Sequence, residues 1–360
     1  MTKFYEAAKQ HQIAWRSKHL TDVIALGLHA GKEYPHLIPS DVWLHGLFPP
    51  IGETLRQYIA EEKIQPHSHK HNLLSSWMLC ANMYFPFRGN KEGLKLLSAF
   101  LASKLRIGEW EVEGLELEYS AEPPLDPGTL LGETRGRRGA SQTSPDIAFQ
   151  LTRSSGTKGL ILVECKYVES GFSGCSGYLE TDVTKKGRSP NLNPERCNKP
   201  ADIIADPAGF CHLVSWSRRY WEHLGPIANQ DAFANLSYCP ARSSGYQLLR
   251  EYAYAQAIFD SGEYEEVIYA IAWDRRNEAL TNSMRRVGFG DIESGWQQLF
   301  PRGVPIRTWS HDEWVGYVDR RGGPKWADWV DYVRARYDLS RGCDELLSGE
   351  FDATRMITIP

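Results

Sequence analysis

Nowhere does this sequence run through about 18 consecutive apolar residues, the length a helix needs to cross a bilayer, and its opening MTKFYEAAKQHQIAW lacks the apolar centre of a secretory leader. Both absences predict a soluble cytoplasmic protein without membrane partners. CxxC pairs are missing too. The seven cysteines are odd in number and scattered, which argues against a disulfide framework and suits reduced thiols. Positive charge is not in excess: the formal net charge is -4, so any grip on a polyanion must come from a local basic groove. Carboxylates that hold metal would themselves push the total toward acid. What the chain does carry is ordinary globular composition, 42% hydrophobic and 24% charged over 360 residues, enough for a sizeable core with decorations or for two domains.

Apolar residues three or four apart predict helices over Leu73 to Phe85 and Lys91 to Leu105, separated by Pro86, and the first hundred residues read as mainly helical. After Arg106 the texture becomes alternating. WEVEGLELEY, from Trp110 to Tyr119, reads as a strand with Gly114 as its irregularity. A loop from Pro123 to Ser144 holds Arg135, Arg137 and Arg138, a cluster suited to phosphate contact. PDIAFQL (Pro145 to Leu151) and GLILVECKY (Gly159 to Tyr167) are strand-like runs joined by TRSSGTK, and read as antiparallel neighbours. Between Glu169 and Pro207 the chain is rich in Gly, Ser, Pro and Asn, a long loop or insertion. Tyr246 to Phe259 reads as an amphipathic helix, Glu266 to Trp273 as a buried strand, and Trp326 to Tyr337 as a Trp-rich helix whose tryptophans belong to the core. No internal repeat is visible.

Side chains alternate along a strand, so Glu164 and Lys166 share one face while Ile161, Val163 and Cys165 share the other. An acid and a lysine closing an apolar run are costly to bury unless paired or bound to metal. Asp146 opens the neighbouring arm, and strand pairing brings its carboxylate toward that of Glu164. Two close carboxylates repel, and a divalent cation such as Mg²⁺ relieves the repulsion. An ion there would polarise a phosphoryl oxygen, and the Lys166 ammonium would orient water and offset negative charge.

Pro145-Asp146, seventeen intervening residues, then Glu164-Cys165-Lys166 resemble the motif of the PD-(D/E)xK nucleases, the superfamily of restriction endonucleases and many repair nucleases. Gln247 and Arg250, one turn apart in YQLLREYAYAQ, resemble the QxxR-type helix that follows the metal hairpin in several branches. The layout, with SSWMLCANMYFPF and the Arg-Gly loop, also resembles uncharacterised bacterial restriction-endonuclease-like proteins. The resemblance implies that Asp146 and Glu164 hold Mg²⁺ or Mn²⁺, that the Cys165 carbonyl adds a ligand, that Lys166 assists the attacking water, and that Gln247 and Arg250 hold a DNA backbone. Many relatives place a further acid upstream. The helix expected before Phe85 has none, so Glu118, or Glu116 on the same face, is the substitute, with Glu133 next.

The expected fold is α/β: a restriction-endonuclease-like core over residues 71–280, with a central mixed β-sheet flanked by helices. A helical extension over 1–70 and a mixed C-terminal addition over 281–360 pack around it. The expected activity is metal-dependent hydrolysis of DNA; a catalytically silent binder of the same fold, or a nuclease for RNA or branched DNA, are the alternatives. Double-strand cleavage with one centre per chain suggests a homodimer. Two clusters stand apart. His67, His69 and His71 read as a solvated loop, and Cys175, Cys197, Cys211 and Cys239 with His212 would make a zinc site only at separations that match no standard finger or ribbon.

Overall fold

The computed structural model describes residues 2–134, 136–181 and 188–339. Its centre is a five-stranded mixed sheet flanked by helices, an α/β fold. A small antiparallel hairpin, β1 (Gly27–His29) and β2 (Lys32–Tyr34), lies apart from it. This hairpin is not anticipated by the mainly helical reading of the first hundred residues. Its turn is Ala30-Gly31 with both φ angles positive, a conformation that the common Asn-Gly signal announces and that Ala-Gly conceals.

β3 (Glu111–Leu117), β4 (Ile147–Thr152) and β5 (Lys158–Lys166) form an antiparallel meander. β6 (Glu266–Trp273) and β7 (Ile306–Ser310) continue it in parallel. The irregularity at Gly114 is a register shift. A Cβ there would stand 2.3 Å from Gln150 Oε1, so the Gln150 side chain lies over the glycine and would have to turn aside for any larger residue.

Central strands with a parallel neighbour are buried on both faces, and β5 is buried along its length after Lys158. The alternation works out as its sequence demands. Ile161, Val163 and Cys165 enter one core with the helices Ser76–Tyr84 and Lys91–Leu105; Leu160 and Leu162 enter a second core with the helix Tyr246–Asp260. The Lys91–Leu105 helix starts where expected because Asn90 caps it, accepting from the N–H groups of Glu92 and Gly93. The earlier helix begins three residues later than its apolar pattern, at Ser76.

The first core also gathers the two ends of the chain. Gln12, on the helix Lys3–His19, donates to Arg336 O at 2.6 Å and accepts from Arg336 Nη1 at 2.8 Å, and Arg336 lies over the Trp15 ring. Trp309, Trp314, Trp326 and Trp329 are all buried in this core, as the aromatic tail required. The helix His311–Arg321, closed at its start by a Ser310/Glu313 capping box, leads into Ala327–Tyr337. Among the described residues no helix is long and apolar enough to cross a membrane. Among its described residues the insertion after β5 holds only short helices, including Ser176–Leu179 and Pro200–Ala205.

Candidate active site

One end of the β4–β5 hairpin opens into a cleft of about 620 Å³ lined by Glu118, Asp146, Glu164, Lys166, Gln247 and Arg250, among others. Asp146 sits just before β4, where Ile147 faces Val163, and its Oδ2 accepts the Cys165 N–H at 2.8 Å. That bond fixes the carboxylate beside the end of β5. Glu164 and Lys166 share a face: Lys166 Nζ is 2.6 Å from Glu164 Oε1.

Gln247 completes a closed ring with them. Its Nε2 donates to Glu164 Oε1 at 2.7 Å and its Oε1 accepts from Lys166 Nζ at 2.7 Å. Arg250 is one turn further along the same helix, with Nη2 at 3.8 Å from Glu251 Oε1 and its Nε buried without a hydrogen-bond partner.

Glu118 reaches this cleft by a break in alternation. Its φ of 49° lies in the left-handed region, unusual for a glutamate, and its N–H donates to Asp146 O at 2.9 Å. Glu116 and Glu118 therefore do not share a face, contrary to the expectation from period-two spacing. Glu116 pairs with Arg138 at 3.0 Å and accepts from Gln150, whereas Glu118 lines the cleft. Gly139 lets the following loop close over it: a Cβ on Gly139, at φ 79°, would stand 3.3 Å from Glu118 Cδ and 2.6 Å from Gln65 O.

The electrostatics are those of crowded, buried acids. Burial, then Glu164, push the Glu118 carboxyl up to about 8. Burial, then Glu164, also hold Asp146 well above the usual carboxylate range. Glu251, under the cleft with Tyr269 OH donating to its Oε2 at 3.0 Å, is raised in the same way. Burial alone would lower the Lys166 ammonium, but Glu164, Glu169 and Asp146 outweigh it and hold the charge.

These residues fit a divalent cation on one specific ground. Glu164 Oε1 takes both Lys166 and Gln247, while Glu164 Oε2 is buried without a hydrogen-bond donor and Glu164 lies against the side chain of Glu251, in a centre whose other carboxyls are raised by burial and by Glu164. A cation suits such a set of oxygens. Among the described residues no three of His, Cys, Asp and Glu already surround a common point at ligand spacing.

The remaining expected residues fall differently. Arg138 engages protein acceptors, Leu117 O, Glu118 O, Tyr58 Oη, Glu62 and Glu116, and so ties down the end of β3. Arg137 is exposed, and Arg135 lies outside the described residues. Glu133 lines the cleft but accepts from Thr143 and Tyr220, a satisfied structural acid. His67 and His69 are exposed at the cleft rim; His71 is buried. Sequence reasoning missed Glu251, Arg218 and Tyr246. The last two come to the cleft from the long insertion and from the start of the Gln247 helix; the basic doublet at Arg218-Arg219 was the available signal.

The family described as restriction endonuclease associating with ARP matches residues 9–337. No curated protein and no solved structure matches the chain.

Proposed function

Since the chain belongs to the family of restriction endonucleases associating with ARP, we propose that its cleft hydrolyses phosphodiester bonds in DNA with the help of Mg²⁺ or Mn²⁺. The observation that carries this reading is the meeting of Asp146, Glu164 and Lys166 in one cleft, with Glu164 Oε2 buried and without a hydrogen-bond donor. Asp146 and Glu164 would hold the ion, with the Cys165 carbonyl and Glu118 as further oxygen donors. Bound there, the ion would polarise a phosphoryl oxygen and make a water easier to deprotonate.

The protein groups do the rest. Lys166 has three ammonium hydrogens and gives two of them to Glu164 and Gln247, so one remains to hold the attacking water and counter charge on the phosphate. Gln247 fixes both the acid and the lysine, which removes the cost of arranging them during reaction. Arg250, whose partly exposed side chain lines the cleft, and the exposed Arg137 are the groups offered to the phosphate backbone.

A plasmid assay tests this directly. Mg²⁺ should convert supercoiled DNA to nicked or linear product, EDTA should stop it, and an RNA or branched substrate run alongside should be cut more slowly. Cleavage that persists in EDTA would remove the proposal.

A further inference from the structure

Four thiols that the nuclease centre does not use come together in the second core. Cys175, Cys197, Cys211 and Cys239 line one small cavity of about 20 Å³, room for a single water-sized particle. They come from distant parts of the chain: the entry to the helix Ser176–Leu179, the turn Pro194–Asn198, the entry to His212–Ser215, and the loop before the Tyr246–Asp260 helix. The chain is stitched there as well, with the Cys239 N–H donating to Cys197 O at 2.7 Å. We propose that these four cysteines bind one structural Zn²⁺, with all four sulfurs as ligands.

Two observations about the surroundings bear on what these sulfurs would hold. Arg242 lines the cavity, and Arg196 stands beside it with Nη2 at 3.0 Å from His212 Nδ1. A Zn²⁺ with four thiolates carries net charge of -2, which two guanidinium groups offset. His212 at the same cavity is engaged elsewhere: its Nδ1 faces Arg196 and its Nε2 is 2.8 Å from Ser189 O, so it is an outer support and the ligands are sulfur alone.

The sulfurs do not yet surround a common point at ligand spacing, so binding draws them inward around the cavity. Each thiol gives its proton to solvent as its Zn–S bond forms, four protons per ion. The cavity is too small for an iron–sulfur cluster, which separates the two fates of a four-cysteine site. The consequence for the fold is a staple across the insertion, whose Arg218 and Tyr220 line the cleft wall, next to the helix that carries Gln247 and Arg250.

Elemental analysis of the full chain, purified without added metal and dialysed against EDTA, should find about one zinc per chain, reduced about tenfold or more in Cys197→Ser and Cys239→Ser. Because those variants could fail to fold, cobalt(II) is also titrated into zinc-stripped wild-type protein, where one equivalent should give intense thiolate-to-cobalt charge-transfer bands. Absence of both zinc and those bands overturns the assignment, as do unchanged zinc in the variants or iron with acid-labile sulfide. None of these readouts depends on nuclease activity.

Discussion

Gln247 bridges the two charged residues of β5: its amide is 2.7 Å from Glu164 Oε1 and its carbonyl 2.7 Å from Lys166 Nζ. A neutral helix side chain thus fixes the spacing of an acid and a base that sit two residues apart on a strand. Removing it leaves both in place but free to rotate. Gln247→Ala should lower the cleavage rate by about 10–100-fold, the scale of losing an outer hydrogen bond to a ligand, while gel-shift affinity for DNA stays nearly unchanged. A loss seen only in DNA affinity would mean that Gln247 contacts the backbone instead.

Lys166→Ala removes the water-orienting ammonium and should cut the rate by about 10²–10⁴-fold in the same plasmid assay. It should also leave Glu164 as an unpaired buried carboxylate, which costs about 3–5 kcal/mol of stability when no ion is present. Chemical denaturation in EDTA and again in Mg²⁺ checks the second half. The deficit should shrink when the ion supplies the missing positive charge.

Acidity should report on Glu118. Its folded pKa of about 8 lies above the ordinary 4.5, so its contribution to stability is fully present below 4.5 and is lost as pH rises through 8. Asp146 and Glu251 shift in the same direction. Melting temperature in EDTA should therefore fall over this window, fall less in Glu118→Gln, and recover on adding Mg²⁺, which binds the ionised carboxylates. An identical pH slope in wild type and Glu118→Gln would contradict the assignment.

The pattern of β4 and β5 was legible because period-two alternation is a strict geometric rule, and it assigned Leu160, Leu162, Glu164 and Lys166 to one side and Ile161, Val163 and Cys165 to the other. The same rule misplaced Glu116 relative to Glu118, since a single left-handed glutamate resets the alternation and nothing in Glu announces it. Gln247 and Arg250 could be paired from helical spacing alone. Glu251 could not, because its partner Tyr269 lies on β6, a separate element. β7 and the helix after it were missed although Ser310 and Glu313 spell a capping box. The cysteine cluster was visible as composition only; its convergence needs contacts made across the insertion.

The clasp between chain ends gives a test of stability far from the cleft. Gln12→Ala strips the buried Arg336 guanidinium of its Gln12 Oε1 acceptor, leaving the weaker Met78 sulfur, and should cost about 1–3 kcal/mol by urea denaturation. Specific cleavage per folded molecule should be unaffected.

The central claim is that Asp146 and Glu164 hold one divalent ion between them. Calorimetric titration of Mn²⁺ into the metal-free protein, with and without the substitution pair Asp146→Asn and Glu164→Gln, measures it without any substrate. Saturable binding near one ion per chain, lost in the paired variant while the zinc content is unchanged, is the expected result. Equal Mn²⁺ affinity in wild type and variant would contradict it.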